Sequence, residues 1–167
     1  MGSAAPVSTL TQEEIQEATS KLKDIENGTD TFAAVDRLFD YSTDPKYRIS
    51  LCCDTVLNAL CKEIKEDKGQ ARVKALDTII NIAYAQENKV MVGNKEGLMS
   101  LLMDVIKEDK GEARVIALGT ISNISVAQEN SVMVGNKEGL LSLLMDVIKE
   151  DKGQARVKAL GTISNIS

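Results

Sequence analysis

Residues 65–106 read KEDKGQARVKALDTIINIAYAQENKVMVGNKEGLMSLLMDVI, and residues 107–148 read KEDKGEARVIALGTISNISVAQENSVMVGNKEGLLSLLMDVI. The two stretches are 42 residues long and differ at eight positions, and a third copy begins at Lys149 and runs to Ser167. A fixed period of ~40–47 residues is the signature of stacked two- and three-helix units. Each such unit has apolar faces it cannot bury alone, and the neighbouring unit supplies the missing surface. The repeat therefore predicts an all-α chain built by stacking.

Periodicity and breakers place the helices inside a unit. From Gly97 to Ile106, Leu98, Leu101, Leu102, Val105 and Ile106 form an i, i+3, i+4 stripe, opened by Gly97 and closed by the charged KEDKG stretch. A second helix is predicted from Glu112 to Ser125, with Val115, Leu118, Ile121 and Ile124 at helical spacing. A short third helix follows near Gln128 to Val134, ended by the Gly135-Asn136 turn.

Working outward, the same scheme covers the N-terminal part. Val56, Leu60 and Ile64 fall one period before Leu98, Leu102 and Ile106, so Asp54 to Glu66 is predicted to be a middle helix. Pro45 to Cys52 takes the short-helix slot, with Pro45 in its first turn, and Thr31 to Ser42 is an earlier long helix, which sets Asp40 against Asn81. Thr11 to Glu26 opens on Thr11 and Glu14, the spacing of a capping box. The predicted organisation is a flexible tail over 1–10, a divergent N-terminal capping repeat over 11–44, a degenerate repeat over 45–85, and two further repeats over 86–127 and 128–167. The last of these is expected to lack a C-terminal cap.

Composition narrows the function classes. Hydrophobic residues make up 43% of the 167, enough for a core, but aromatics only 3%, so that core is aliphatic. The net charge is −5, with basic and acidic side chains interleaved; a nucleic-acid binder shows a basic stripe instead, and an anionic membrane surface needs the same. No apolar run nears the ~20 residues of a membrane span. Histidine is absent, which removes the commonest general base and metal ligand, and no set of residues assembles a catalytic or cofactor site. Cys52, Cys53 and Cys61 read as buried small hydrophobes in a reducing compartment, which points to the cytoplasm or the nucleus.

At this point the chain resembles the armadillo-repeat family. The run Glu129-Asn130 … Gly135-Asn136-Lys137-Glu138-Gly139-Leu140-Leu141-Ser142-Leu143-Leu144 is similar to that family's short first helix, glycine turn and second helix. The run Ala117-Leu118-Gly119-Thr120-Ile121-Ser122-Asn123-Ile124-Ser125 is similar to its third helix. The resemblance covers about residues 30–167 and implies a right-handed α-solenoid of armadillo-type three-helix repeats. It also implies a concave groove of third helices in which a ladder of asparagines, here Asn81, Asn123 and Asn165, hydrogen-bonds the backbone of an extended peptide.

One turn before those asparagines the nuclear-import branch of the family carries tryptophan, where this chain has Asp77, Gly119 and Gly161 and no Trp anywhere. A basic import signal held between indoles is therefore not expected. Groove specificity is expected from Gln70, Lys74, Asp77 and Tyr84 in one unit, from Glu112, Ile116 and Val126 in the next, and from Gln154 and Lys158 in the third. The asparagines equally suit a structural role, capping or bonding neighbouring backbone.

The implied function is a non-enzymatic scaffold or adaptor that binds a protein or peptide partner, with no cofactor, metal, nucleic acid or membrane. Two other readings stay open. One is a structural element that associates end to end with copies of itself, or within a larger complex, through its C-terminal face. The other is an engineered or truncated array with no natural ligand.

Overall fold

The computed structural model describes residues 10–23 and 31–167, and among these every regular element is helical. The helices are α1 (Gln12–Lys23), α2 (Thr31–Thr43), α3 (Pro45–Leu51), α4 (Asp54–Glu66), α5 (Gln70–Ala83), α6 (Lys89–Gly93), α7 (Leu98–Glu108), α8 (Glu112–Ile124), α9 (Gln128–Gly135), α10 (Leu140–Glu150) and α11 (Gln154–Ile166). Predicted bounds and observed bounds agree to within one or two residues from Thr31 onward. The predicted tail over residues 1–9 and the predicted helical stretch over 24–26 lie outside the described residues. Leu10, assigned to the tail by its sequence, is buried against the core.

Local chemistry explains the helix ends. At α1 the capping box is formed reciprocally. The Glu14 N–H donates to Thr11 Oγ1 at 3.2 Å, and the Thr11 N–H donates to Glu14 Oε2 at 2.7 Å, so two orphan donors are satisfied. Asp44 caps α3 by accepting from the Lys46 N–H at 3.1 Å, with Pro45 in the first turn. Gly97 and Gly139 precede α7 and α10 at φ 76° and 77°, a conformation that costs a side-chain-bearing residue dearly. In each KEDKG stretch the aspartate turns back on the chain: Asp109 Oδ1 accepts from the Gly111 N–H at 3.0 Å, and Asp151 from Gly153 at 2.8 Å.

One departure from strict repetition has a visible cause. Residues 128–135 form a single α-helix, α9, whereas the matching stretch opens with a 3-10 turn, Gln86–Asn88, before α6. The two segments differ only by Lys89 against Ser131. Lys89 is buried, and its Nζ donates to Ala83 O at 2.9 Å and to Asn123 Oδ1 at 2.7 Å, whereas Ser131 Oγ donates within its own turn to Gln128 O.

Packing follows the repeat. The long helices α2, α5, α8 and α11 contact one another in succession, as do the middle helices α4, α7 and α10, and α6 meets α9. Within units α4 packs on α5, α7 on α8 and α10 on α11, while α1 lies against α2 and α4. The core between these rows is the aliphatic one that composition requires: Leu38, Leu57, Leu76, Ile79, Leu102, Ile106 and Leu118 are fully buried, each contributing about 1.5–3 kcal/mol of apolar transfer. The three cysteines are free and half-buried at the edge of this core rather than fully inside it, and burial pushes the Cys52 thiol up to about 11. No helix among the described residues is long and apolar enough to cross a membrane.

Candidate functional site

The row of long helices carries the sequence-predicted site. On α5, Gln70, Lys74, Asp77 and Asn81 stand at i, i+4, i+7 and i+11, which places them on one face, and Tyr84 ends the same line. Gln70 and Tyr84 are exposed; Lys74, Asp77 and Asn81 are half-buried. The Lys74 ammonium is ion-paired with Asp36 of α2 and sits 5.6 Å from the Phe39 ring centroid. Burial, reinforced by the Glu112 carboxylate, raises the Asp77 pKa above its ordinary value. Tyr84, 53% exposed, has the Arg48 guanidinium 5.7 Å from its ring centroid.

On α8, Glu112 is exposed, Ile116 half-buried, and Val126, just past the helix, 60% exposed. On α11, Gln154 is exposed while Lys158, Gly161 and Asn165 are half-buried.

The three asparagines are already engaged between neighbouring helices. Asn81 Nδ2 donates to Ser42 Oγ on α2 at 3.1 Å. Asn165 Nδ2 donates to Ser122 O at 3.0 Å and Ser125 Oγ at 3.1 Å. Asn123 differs: its Oδ1 accepts from Lys89 Nζ, while its Nδ2 is buried with no partner among the described residues. Asn81 and Asn165 thus each stitch one long helix to its neighbour, whereas Asn123 ties α8 to the short helix α6. No described group partners the Oδ1 of Asn81 or of Asn165.

The two glycines lie where neighbouring long helices pack closely. A Cβ on Gly119, which is buried, would lie 3.2 Å from Ile80 Cδ1 of α5 and 3.8 Å from Lys158 Cε of α11. A Cβ on Gly161 would lie 3.2 Å from Ser122 Oγ. The tight approach at both glycines is the one between neighbouring long helices, and Gly119 offers no open surface of its own.

Sequence reasoning missed a second set of polar residues, at the joints between units. Asn88 Nδ2 donates to Arg48 O at 2.8 Å and Ile82 O at 2.9 Å, and Asn130 Nδ2 to Lys89 O at 2.7 Å and Ile124 O at 3.0 Å. Both amides are buried, and each adds a second donor to a carbonyl at the end of a long helix that already accepts a backbone N–H. Arg48 acts likewise at the end of α2, its Nε donating to Ser42 O at 2.9 Å. On the opposite side of the joints, Arg72 pairs with Glu108 at 3.3 Å and Arg114 with Glu150 at 3.5 Å. An asparagine recurring inside the apolar short-helix run was the signal available for the first set.

The eight differences between units map onto this surface unevenly. Six belong to the long helix and its end: Gln70/Glu112, Lys74/Ile116, Asp77/Gly119, Ile80/Ser122, Ala83/Ser125 and Tyr84/Val126. Four of the six, at 70, 74, 77 and 84, share the face of Asn81. Lys89/Ser131 opens the short helix, and only Met99/Leu141 lies on a middle helix. Among the described residues no group of three or more cysteine or carboxylate side chains is placed to hold a metal ion. No protein-family model, no curated protein and no solved structure matches this chain.

Proposed function

We propose that the chain is a right-handed α-solenoid of the armadillo type whose row of long helices α5, α8 and α11 forms the floor of a groove for an extended segment of a partner protein, bound without catalysis. The observation that carries this reading is the placement of the differences between otherwise near-identical units. Most residues that pack one helix on another agree from unit to unit, with Ile80/Ser122, Ala83/Ser125 and Lys89/Ser131 among the exceptions, while half of the differences fall on one line, where Gln70, Lys74, Asp77, Tyr84 becomes Glu112, Ile116, Gly119, Val126. A surface that changes along the array offers a different contact to each successive part of a bound chain.

The groove supplies backbone recognition through Asn81 Oδ1 and Asn165 Oδ1, which accept N–H groups of a peptide whatever its sequence. Tyr84 and Val126 supply exposed apolar area, and Glu112 and Lys158 supply charge of both signs. Helices hold these groups in place before binding, so little ordering entropy opposes association. The intra-array use of the Asn81 and Asn165 amide nitrogens, and the burial of the Asn123 one, leave the ladder fewer donors than the family resemblance implies.

The test is selection of binders from a library of disordered peptides, followed by titration against the Tyr84→Ala/Glu112→Ala variant. Both side chains are exposed, so the fold and melting temperature are expected to hold while affinity falls about tenfold or more. Peptides that bind the variant as tightly as the parent chain, or the absence of any binder, would remove the groove.

A further inference from the structure

One asparagine of the row is unlike the other two, and two of the eight differences between units act on it. Asn165 is held by its nitrogen, which donates to Ser122 O and to Ser125 Oγ. One unit earlier the residue matching Ser125 is Ala83, which offers the Asn123 nitrogen no hydroxyl. The residue matching Ser131 is Lys89. Ser131 turns its hydroxyl back to Gln128 O, whereas Lys89 is buried and sets its Nζ 2.7 Å from Asn123 Oδ1 and 2.9 Å from Ala83 O. In the first unit the matching residue is Tyr47, whose ring packs edge-on against Tyr41 with centroids 5.4 Å apart. Of these three, Lys89 is the one that bonds the asparagine of its unit.

An ammonium only donates, so the atom that faces it has to be the carboxamide oxygen. That fixes the orientation of the whole Asn123 amide and leaves its Nδ2 buried without a partner. Asn81 and Asn165 have the opposite arrangement. Their nitrogens are used inside the array, and their oxygens have no described partner and are reached by solvent. The row therefore offers an open acceptor at its first and third members, while at the second the nitrogen is shut away and the oxygen is held by a buried cation.

We infer that Lys89 closes the middle rung of the asparagine row, so that the groove takes an extended segment bound by its backbone at Asn81 and Asn165 and able to carry proline between them. This inference rests on the peptide groove and specifies what fits it. Opposite Asn123 a backbone N–H meets an oxygen already engaged by an ammonium, so a residue that lacks the N–H gives up little there. In the same unit Ile116 is half-buried and Val126 is 60% exposed, an apolar surface suited to a pyrrolidine ring. The fixed φ of proline also holds a segment extended before it binds. At the outer rungs the open oxygens call for a donor, and proline is disfavoured.

The measurement is an N-methyl scan of a peptide selected by the parent chain, each backbone nitrogen being methylated in turn. Dissociation constants are compared between the parent chain and the Ala83→Ser/Lys89→Ser variant, which gives the middle rung the serines that the chain already carries at 125 and 131. One methylation that is silent in the parent should weaken binding to the variant about fivefold or more, and the unmodified peptide should bind the variant about fivefold more tightly. The reverse exchange, Ser125→Ala/Ser131→Lys, should make silent one methylation that weakens binding to the parent. Far-ultraviolet circular dichroism checks the fold of each variant, and either exchange alone decides the question. Scans that are the same for the parent and the folded variants would overturn the inference and leave the groove standing. A library that yields no binder would remove the groove and this inference with it.

Discussion

At Gly93 the neighbour dictates the residue. The Asn130 carboxamide lies where a side chain would begin, with Cγ 2.7 Å from a Cβ built on that glycine, and its nitrogen is fixed by two carbonyls. Gly93→Ala should therefore destabilise the chain by about 1–3 kcal/mol, the usual range for overpacking a filled site. Gly135→Ala, whose nearest atom would be Ile166 Cβ at 3.5 Å, should be neutral. Thermal melts of the two variants make the comparison directly. With Asn130→Ala added, the new methyl at Gly93 has room, so the two losses should sum to less than their separate values.

Asp77 is a second residue whose cost can be read. Its pKa is raised by burial and then by Glu112, so its favourable contribution is present below the unfolded-state value of 3.8 and lost as pH rises through the higher folded value. At pH 7 the buried charge opposes folding. Asp77→Asn should raise stability in denaturant melts at neutral pH, and the gain should shrink as pH is lowered through the raised pKa. These contacts were not legible beforehand because they join residues roughly one unit apart, and a single sequence shows only which types recur. Asn81, Asn123 and Asn165 were found as a row; that Asn123 meets Lys89 while Asn165 meets two serines depends on substitutions at 89 and 125 that take effect only after stacking.

Among the helices, the sequence carried most of what was needed. Apolar spacing set α4, α7, α8 and α10, Pro45 and Asp44 set the start of α3, and Thr11 with Glu14 set the start of α1, because each of these signals acts within a few residues. The exception is the 3-10 turn Gln86–Asn88, where a side chain reaching outside its own helix alters the backbone. The joint amides act at this scale too, holding short helices to the ends of long ones. Removing the amide by Asn130→Ala leaves the buried carbonyls of Lys89 and Ile124 without that donor, and a loss of about 1–3 kcal/mol is expected, seen as a lowered melting temperature. Faster amide exchange should appear first in α6 and α9, which that side chain joins.

For the molecule as a whole, repetition is both the most legible feature and the one that hides function. A duplicated unit repeats its packing residues and its binding residues together, so recurrence alone cannot separate them. Of the eight positions that changed, four share the long-helix face of Asn81, while the core at Leu76, Leu102 and Leu118 stays the same. The most direct test makes two units alike on that face. The variant Gln70→Glu/Lys74→Ile/Tyr84→Val gives the first complete unit three of the side chains of the second, at exposed or half-buried sites. The dissociation constant of a selected peptide for this variant is the quantity to measure. A groove on this face predicts a folded chain whose affinity for that peptide falls about tenfold or more; a folded chain with the affinity unchanged would contradict it.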